Sequence, residues 1–147
     1  MAAAETPNVT PFHLAFPIRN IEETTTFYRD VLGCSIGRST ENWVDFDLYG
    51  HQLSAHVRPE QVNQAAGTGE VDGHQVPIPH FGVVLTWEQW HELKDRLDAE
   101  LSVDYLVEPQ IRFQGKPGEQ ATLFIQDPSG NALEFKAFKN MEQLFAK

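Results

Sequence analysis

Three side chains far apart in the chain are of the types that hold divalent cations: His13, His80 and Glu134. His13 stands near the start of FHLAFPI (12–18), His80 opens HFGVVL (80–85), and Glu134 lies inside ALEFKAF (132–138). All three runs alternate apolar and other residues with the period of a strand. Phe12, Leu14, Phe16 and Ile18 take one face of the first, and His13, Ala15 and Pro17 the other. Phe81, Val83 and Leu85 oppose His80, Gly82 and Val84 in the second. Leu133, Phe135 and Ala137 oppose Glu134 and Lys136 in the third. If helices cover the apolar faces, the opposite faces line a cup with ionisable groups inside it. An unpartnered buried carboxylate is costly, and a cation shared by His13, His80 and Glu134 removes that cost. Two imidazoles and one carboxylate form a facial triad that suits Fe(II) and leaves three adjacent positions open; Mn(II) fits nearly as well, with Zn and Ni as alternatives. The plainer alternative is a set of structural histidines and a local Glu134–Lys136 ion pair.

Other residues of this cup are candidates for handling a substrate. In HQLSAHV (51–57) the apolar set is Leu53, Ala55 and Val57, so Ser54 and His56 share the inward face. His56 is the first candidate for a base that takes a substrate proton, and His74 the second. Arg112, Lys116 and Gln120 surround the loop QGKPGEQ, where they could bind a substrate carboxylate or remain a solvated surface. Phe124 and Trp43 could line an aromatic pocket or simply pack in the core. His51, in a turn, and His91, on a helix, are given no role.

The elements that must position these residues occur twice. After the first strand, Asn20 opens a helix with Glu23 as its capping-box partner, Ile21, Thr24, Phe27, Tyr28, Val31 and Leu32 keep helical spacing, and Gly33 ends it. Strands follow at 34–38, 43–49 and 52–57, with Gly50–His51 as the turn between the last two. Residues 59–79 read as a linker or mobile flap. The pattern restarts at His80: a strand, a helix capped by Thr86 and Gln89 with Trp90, Leu93, Leu97 and Leu101 as its buried stripe, then strands at 104–113, 121–126 and 132–138. DPSGN (127–131) has the chemistry of a turn. Gly50-x-x-Leu53-Ser54-Ala55 matches Gly130-x-x-Leu133-Glu134-Phe135 at the close of each half. The expected architecture is α+β, one domain over 1–147: two tandem βαβββ modules (about 10–58 and 80–138) forming a cupped mixed sheet with helices outside, and a tail at 139–147.

Composition narrows the function classes. The chain has 147 residues, 41% of them hydrophobic, enough to build a core. Eleven Lys and Arg against 21 Asp and Glu give a net charge of −10, which repels phosphate backbones and anionic lipid, so no nucleic-acid or membrane partner is expected. The single cysteine, Cys34, excludes an intramolecular disulfide and thiolate clusters. MAAAETPNV carries neither a basic n-region nor an apolar h-region, so cytoplasm is the expected compartment.

Several segments carry a family resemblance: FHLAFPI, TFYRDVLGC (26–34), PHFGVVL (79–85) and LFIQDPSGNALEFK (123–136). The sequence resembles the vicinal-oxygen-chelate (VOC) superfamily, which includes glyoxalase I, fosfomycin-resistance enzymes, bleomycin-resistance proteins and extradiol dioxygenases. WVDFDLYGHQLSAH and KPGEQATLFIQDPSGNALEFKAF are similar to its small extradiol-type dioxygenases. The resemblance implies the glyoxalase fold, a metal on His13, His80 and Glu134, a homodimer, and ring-cleaving Fe(II)-assisted oxygenation of a catechol-like or vicinal-diol molecule with dioxygen. Ser54, Arg112, Lys116 and Phe124 are the substrate-contacting residues on this reading, and His56 the catalytic one. Ser54 stands where the isomerases carry a fourth ligand, which favours the three-ligand pattern. Phe124 stands where larger extradiol enzymes carry tyrosine, and the histidine slightly further upstream is missing. Alternatives are a glyoxalase I-like lyase or isomerase, or a drug-sequestering protein of the bleomycin-resistance kind.

Overall fold

The computed structural model describes residues 9–62, 68–71 and 74–147. Most of the leader read above for compartment, residues 1–8, lies outside them. In chain order the elements are β1 (His13–Ile18), α1 (Ile21–Thr25), β2 (Ser35–Ser39), β3 (Trp43–Leu48), β4 (His51–Val57), β5 (Thr68–Val71), β6 (His74–Pro77), β7 (Phe81–Leu85), α2 (Trp87–Asp98), β8 (Tyr105–Arg112), β9 (Gln120–Gln126) and β10 (Ala132–Phe138). Two four-stranded mixed sheets result, ordered β1-β4-β3-β2 and β7-β10-β9-β8. In each, the first strand of the module pairs in parallel with its last, and the remaining pairs are antiparallel. These are the two βαβββ modules that the sequence repeat predicts.

The alternation explains where the core sits. Phe16, Ile18, Leu53 and Ala55 of the first module and Leu85, Leu133, Phe135 and Ala137 of the second are buried in one cluster. Tyr28 from the first helical segment and Trp90, Leu93 and Leu97 from α2 fill it. The Trp90 indole N–H donates to the Phe135 carbonyl at 2.9 Å, so the largest buried ring leaves no orphan donor.

Four expectations need correction. The first helix is not uniform: α1 runs on as a π-helical turn over Thr26–Val31, with the Leu32 N–H bonded to the Phe27 carbonyl at 3.0 Å. Asn20 caps it through the Glu23 N–H, but the Glu23 carboxylate turns to Arg19, at 2.7 Å, which is the stronger, charge-assisted partner. Thr86 and Gln89, with no such competitor, form a complete capping box. Leu101 is fully exposed, because α2 ends at Asp98 before the apolar stripe reaches it. The segment 59–79 is not structureless: it holds a 3-10 turn at Pro59–Gln61 and the β5–β6 hairpin, and its Val76 is wholly buried against Val107 and Phe124.

DPSGN is more than a turn. Asp127 accepts from the backbone N–H groups of Ser129 and Asn131 and, across the modules, from the Tyr28 hydroxyl at 2.8 Å. The Asn131 amide donates to the Pro17 carbonyl, and the Ser129 hydroxyl accepts from the Arg19 N–H. This buried polar knot joins the two modules and fixes how β10 enters its sheet. Burial pushes the Asp127 carboxyl above the ordinary carboxylate range, against the lowering effect of its hydrogen bonds from Asn131, Tyr28 and Ser129.

Candidate metal and substrate site

His80 sits immediately before β7, and Glu134 lies on the neighbouring β10, opposite Gly82. Gly82 makes the approach feasible: a Cβ there would collide with the Glu134 carbonyl oxygen. The His80 Nε2 and Glu134 Oε1 are 3.6 Å apart, with side chains only 20% and 13% exposed. That separation is too long for a direct hydrogen bond. It does match two ligands about 2.1 Å from one centre at an angle near 120°.

Each partner is oriented by a neighbour. A carbonyl oxygen can only accept, so the 2.8 Å contact from His80 Nδ1 to the Pro77 carbonyl places a proton on Nδ1 and turns Nε2, the nitrogen a metal would take, toward Glu134. Thr122 donates to Glu134 Oε2 at 2.8 Å and fixes the carboxylate. The Phe124 ring meets His80 edge-on, with centroids 5.0 Å apart. Lys136, two residues along β10, places Nζ 3.5 Å from Glu134 Oε1.

His13 does not join this pair within one chain. It is exposed on the sheet of the first module, and among the described residues no group of three or more His, Cys, Asp or Glu could hold a metal ion. Within one chain the expected triad of His13, His80 and Glu134 is therefore not assembled: β1 and β7 belong to different sheets. His13 is nonetheless held like His80. Its Nδ1 is 2.8 Å from Gln52 Oε1, and the other end of that amide, Nε2, points toward Asp45 at 3.5 Å. The acidic neighbour fixes the amide's orientation, so Gln52 accepts from Nδ1 and His13 also keeps a free Nε2.

A cavity of about 450 Å³ opens beside His80 and Glu134, lined by Gln110, Arg112, Gln120, Thr122, Phe124 and Lys136 among others. Arg112 and Phe124, two of the residues expected to contact substrate, line this cavity. Lys116 does not: it is exposed, at a turn closed by its N–H to the Phe113 carbonyl. Ser54 is buried on β4 and donates to Asp45 at 2.6 Å. His56 is half-buried on the same strand beside the Trp43 ring; both belong to the first module, away from the His80 cavity. His74 takes a place in β6. His51 accepts from the Phe12 N–H, and His91 bonds the Trp87 carbonyl within α2. Sequence reasoning missed Asp45, Gln52 and Thr122. Their inward alternation on β3, β4 and β9 was the available signal, but only the strand register shows which side chains meet.

A family model described as "Glyoxalase/Bleomycin resistance protein/Dioxygenase superfamily" matches residues 10–135. Among solved structures, a glyoxalase/bleomycin resistance protein/dioxygenase from Alicyclobacillus acidocaldarius is 28% identical, with a TM-score of 0.76 over 97% of this chain and 100% of that one. The fosfomycin resistance protein FosX from Listeria monocytogenes (16% identity, TM-score 0.63, 95% and 100% covered) and a lactoylglutathione lyase from Agrobacterium tumefaciens (17%, 0.60, 97% and 100%) share the fold. A FosX variant from the same organism (16%, 0.60, 97% and 98%) was solved with Mn(II) and 1S,2S-dihydroxypropylphosphonic acid. No curated protein sequence matches this chain. No helix among the described residues is long and apolar enough to cross a membrane.

Proposed function

Because the chain belongs to the glyoxalase/bleomycin resistance protein/dioxygenase superfamily, we propose that it is a metal-dependent enzyme acting on a small molecule with vicinal oxygens. The observation that carries this reading is the His80–Glu134 pair: 3.6 Å apart, nearly dry, and with the imidazole Nε2 turned inward.

The third ligand is His13 of a second copy. β1 and β7 are the edge strands of their sheets, and an edge with free backbone groups is a template for pairing with another chain. The apolar groove beside them, about 650 Å³, is lined by Leu14, Leu53, Phe81 and Val83 and rimmed by the exposed Phe12 and Phe145. A two-fold pairing of β1 with β7 between copies covers this groove and carries each His13 toward the other chain's His80 and Glu134, giving two equivalent centres.

A divalent cation held there would supply Lewis acidity to a substrate with vicinal oxygens and, as Fe(II), oxygen chemistry. The chain's own residues do the rest. His80 and Glu134 hold the ion, while Thr122 keeps the carboxylate from rotating away. Phe124 excludes water beside the imidazole, which strengthens the electrostatics of the site. His56, the ionisable group on the inward face of β4, takes the substrate proton once the opposing copy's first module closes the cup. Ser54, held by Asp45, lines the same wall.

Ring-cleaving oxygenation of a catechol-like or vicinal-diol substrate is the first reading, because His13, His80 and Glu134 would hold an iron with three protein ligands, a set that suits Fe(II) oxygen chemistry. Isomerase or lyase chemistry without dioxygen is the second. It is favoured by Phe124, which puts an aromatic wall with no acid–base group against His80. The two are separated by an oxygen-uptake screen over catechols and vicinal diols with the Fe(II)-loaded protein, run beside an anaerobic turnover assay. Oxygen consumption with ring opening supports the first, and anaerobic turnover the second. Stoichiometric ligand binding by metal-free protein, without turnover, contradicts both.

A further inference from the structure

The cavity at His80 and Glu134 has a charged wall and an apolar one. Lys136 follows Glu134 by two residues on β10, so both side chains leave the same face of the strand. Arg112, at the end of β8, lines the same space, its guanidinium 4.7 Å from the Phe113 ring centroid. Val76, Val107 and Phe124 form the apolar wall, and the amides of Gln110 and Gln120 also reach the space. Among the described residues, Glu134 is the one acidic side chain in this lining, although the chain as a whole carries a charge of −10.

Glu134 is a poor permanent partner for Lys136. Its Oε2 is taken by Thr122. Its Oε1 faces His80 at 3.6 Å and Lys136 at 3.5 Å, both longer than the roughly 2.7–2.9 Å of a charge-assisted hydrogen bond. A divalent ion on Glu134 would offset that carboxylate's charge and place a like charge next to the Lys136 ammonium. In a partly dry cavity that repulsion is large, and an anion between the two relieves it. Resting on the metal reading above, we propose that the substrate carries an oxyanion, a carboxylate or a phosphonate, next to its metal-chelating oxygens, and that Lys136 binds it. Lys136 Nζ donates to the oxyanion, Arg112 flanks it, and the substrate's remaining carbon skeleton lies toward Val76 and Val107.

The test uses Mn(II)-loaded protein titrated calorimetrically with 3,4-dihydroxybutanoate, 2,3-dihydroxypropylphosphonate and 1,2-butanediol, three vicinal diols that differ in the group beside the diol. Lys136→Met is expected to weaken binding of the charged probes about tenfold or more, to leave 1,2-butanediol unchanged, and to keep or tighten Mn(II) binding. Lys136→Arg restores part of the loss, and Arg112→Gln gives a smaller loss of the same selectivity. The better of the two acids tells carboxylate from phosphonate. Retention of full 3,4-dihydroxybutanoate and 2,3-dihydroxypropylphosphonate affinity by Mn(II)-loaded Lys136→Met overturns the proposal, as does failure of both acids to bind the Mn(II)-loaded native protein. If Lys136→Met does not take up Mn(II), the Arg112→Gln comparison decides in the same way. Failure of the native protein to bind Mn(II) at all is a different result: it removes the metal reading, and this proposal with it.

Discussion

His80 Nε2 stands 3.6 Å from Glu134 Oε1 across the β7–β10 pair, while its other ring nitrogen, Nδ1, is bonded to the Pro77 carbonyl at 2.8 Å. Too far apart for a direct hydrogen bond and each fixed by its own neighbour, the two groups are apt as a ligand pair. Their approach is set by backbone packing: parallel pairing puts Gly82 directly beside Glu134.

Gly82→Ala tests that dependence. The added Cβ meets the Glu134 carbonyl oxygen, so β10 must shift. The expected cost is about 1–3 kcal/mol of stability, the range for forcing extra volume into a packed site, together with loss of metal affinity. Urea unfolding and metal titration of the same sample check both. Unchanged stability and metal binding contradict the close approach.

Gln52→Leu tests the readiness of His13. Gln52 is exposed, so its replacement leaves the fold intact, but His13 loses the acceptor that fixes its proton on Nδ1. Removal of such an outer partner lowers metal affinity by about 10–100-fold. Calorimetry with Mn(II) against the native protein, alongside an unchanged circular dichroism spectrum, is the measurement.

Tyr28→Phe tests the inter-module knot. Tyr28 is wholly buried, and its hydroxyl serves a carboxylate that is 4% exposed. Leaving that acceptor short of a donor costs about 1–3 kcal/mol. The sign of the pH dependence follows from Asp127. Its carboxyl is already raised by burial, so its contribution to stability is full in acid and lost as pH rises through the folded-state value. Removal of the Tyr28 donor raises that value further. The Tyr28→Phe penalty is thus largest at neutral pH and shrinks as the carboxyl protonates below its folded pKa. Urea midpoints across pH 3–7 read this directly, and a penalty that grows toward acid contradicts it.

Much of this was legible in the sequence. Alternation in FHLAFPI, HFGVVL and ALEFKAF put His80 and Glu134 on the inward faces of their strands, and Thr86 with Gln89 announced α2. What sequence could not supply was register. The β3–β4 hairpin turns at Tyr49–Gly50, where both residues have positive φ (52° and 90°), and not at Gly50–His51. That step of one residue pairs Asp45 with Ser54, and a slip of one residue changes every cross-strand partner. The Asp45 links to Ser54 and Gln52, and through Gln52 to His13, were invisible for this reason. The π-helical turn at Thr26–Val31 was equally hidden, since its side chains keep an ordinary apolar stripe. The inter-module contacts of DPSGN depend on how two separate modules dock, which no local pattern encodes.

The central claim is a divalent ion held by His80, Glu134 and a second copy's His13, and the most direct test is Mn(II) stoichiometry in complementing variants. The native protein is expected to bind about one ion per chain, and His13→Ala and Glu134→Gln each alone almost none. A refolded equal mixture of the two variants regains about one ion per four chains, because each mixed dimer then holds one intact centre. Native protein that binds no Mn(II), or variants that bind as well as native protein, would contradict the account.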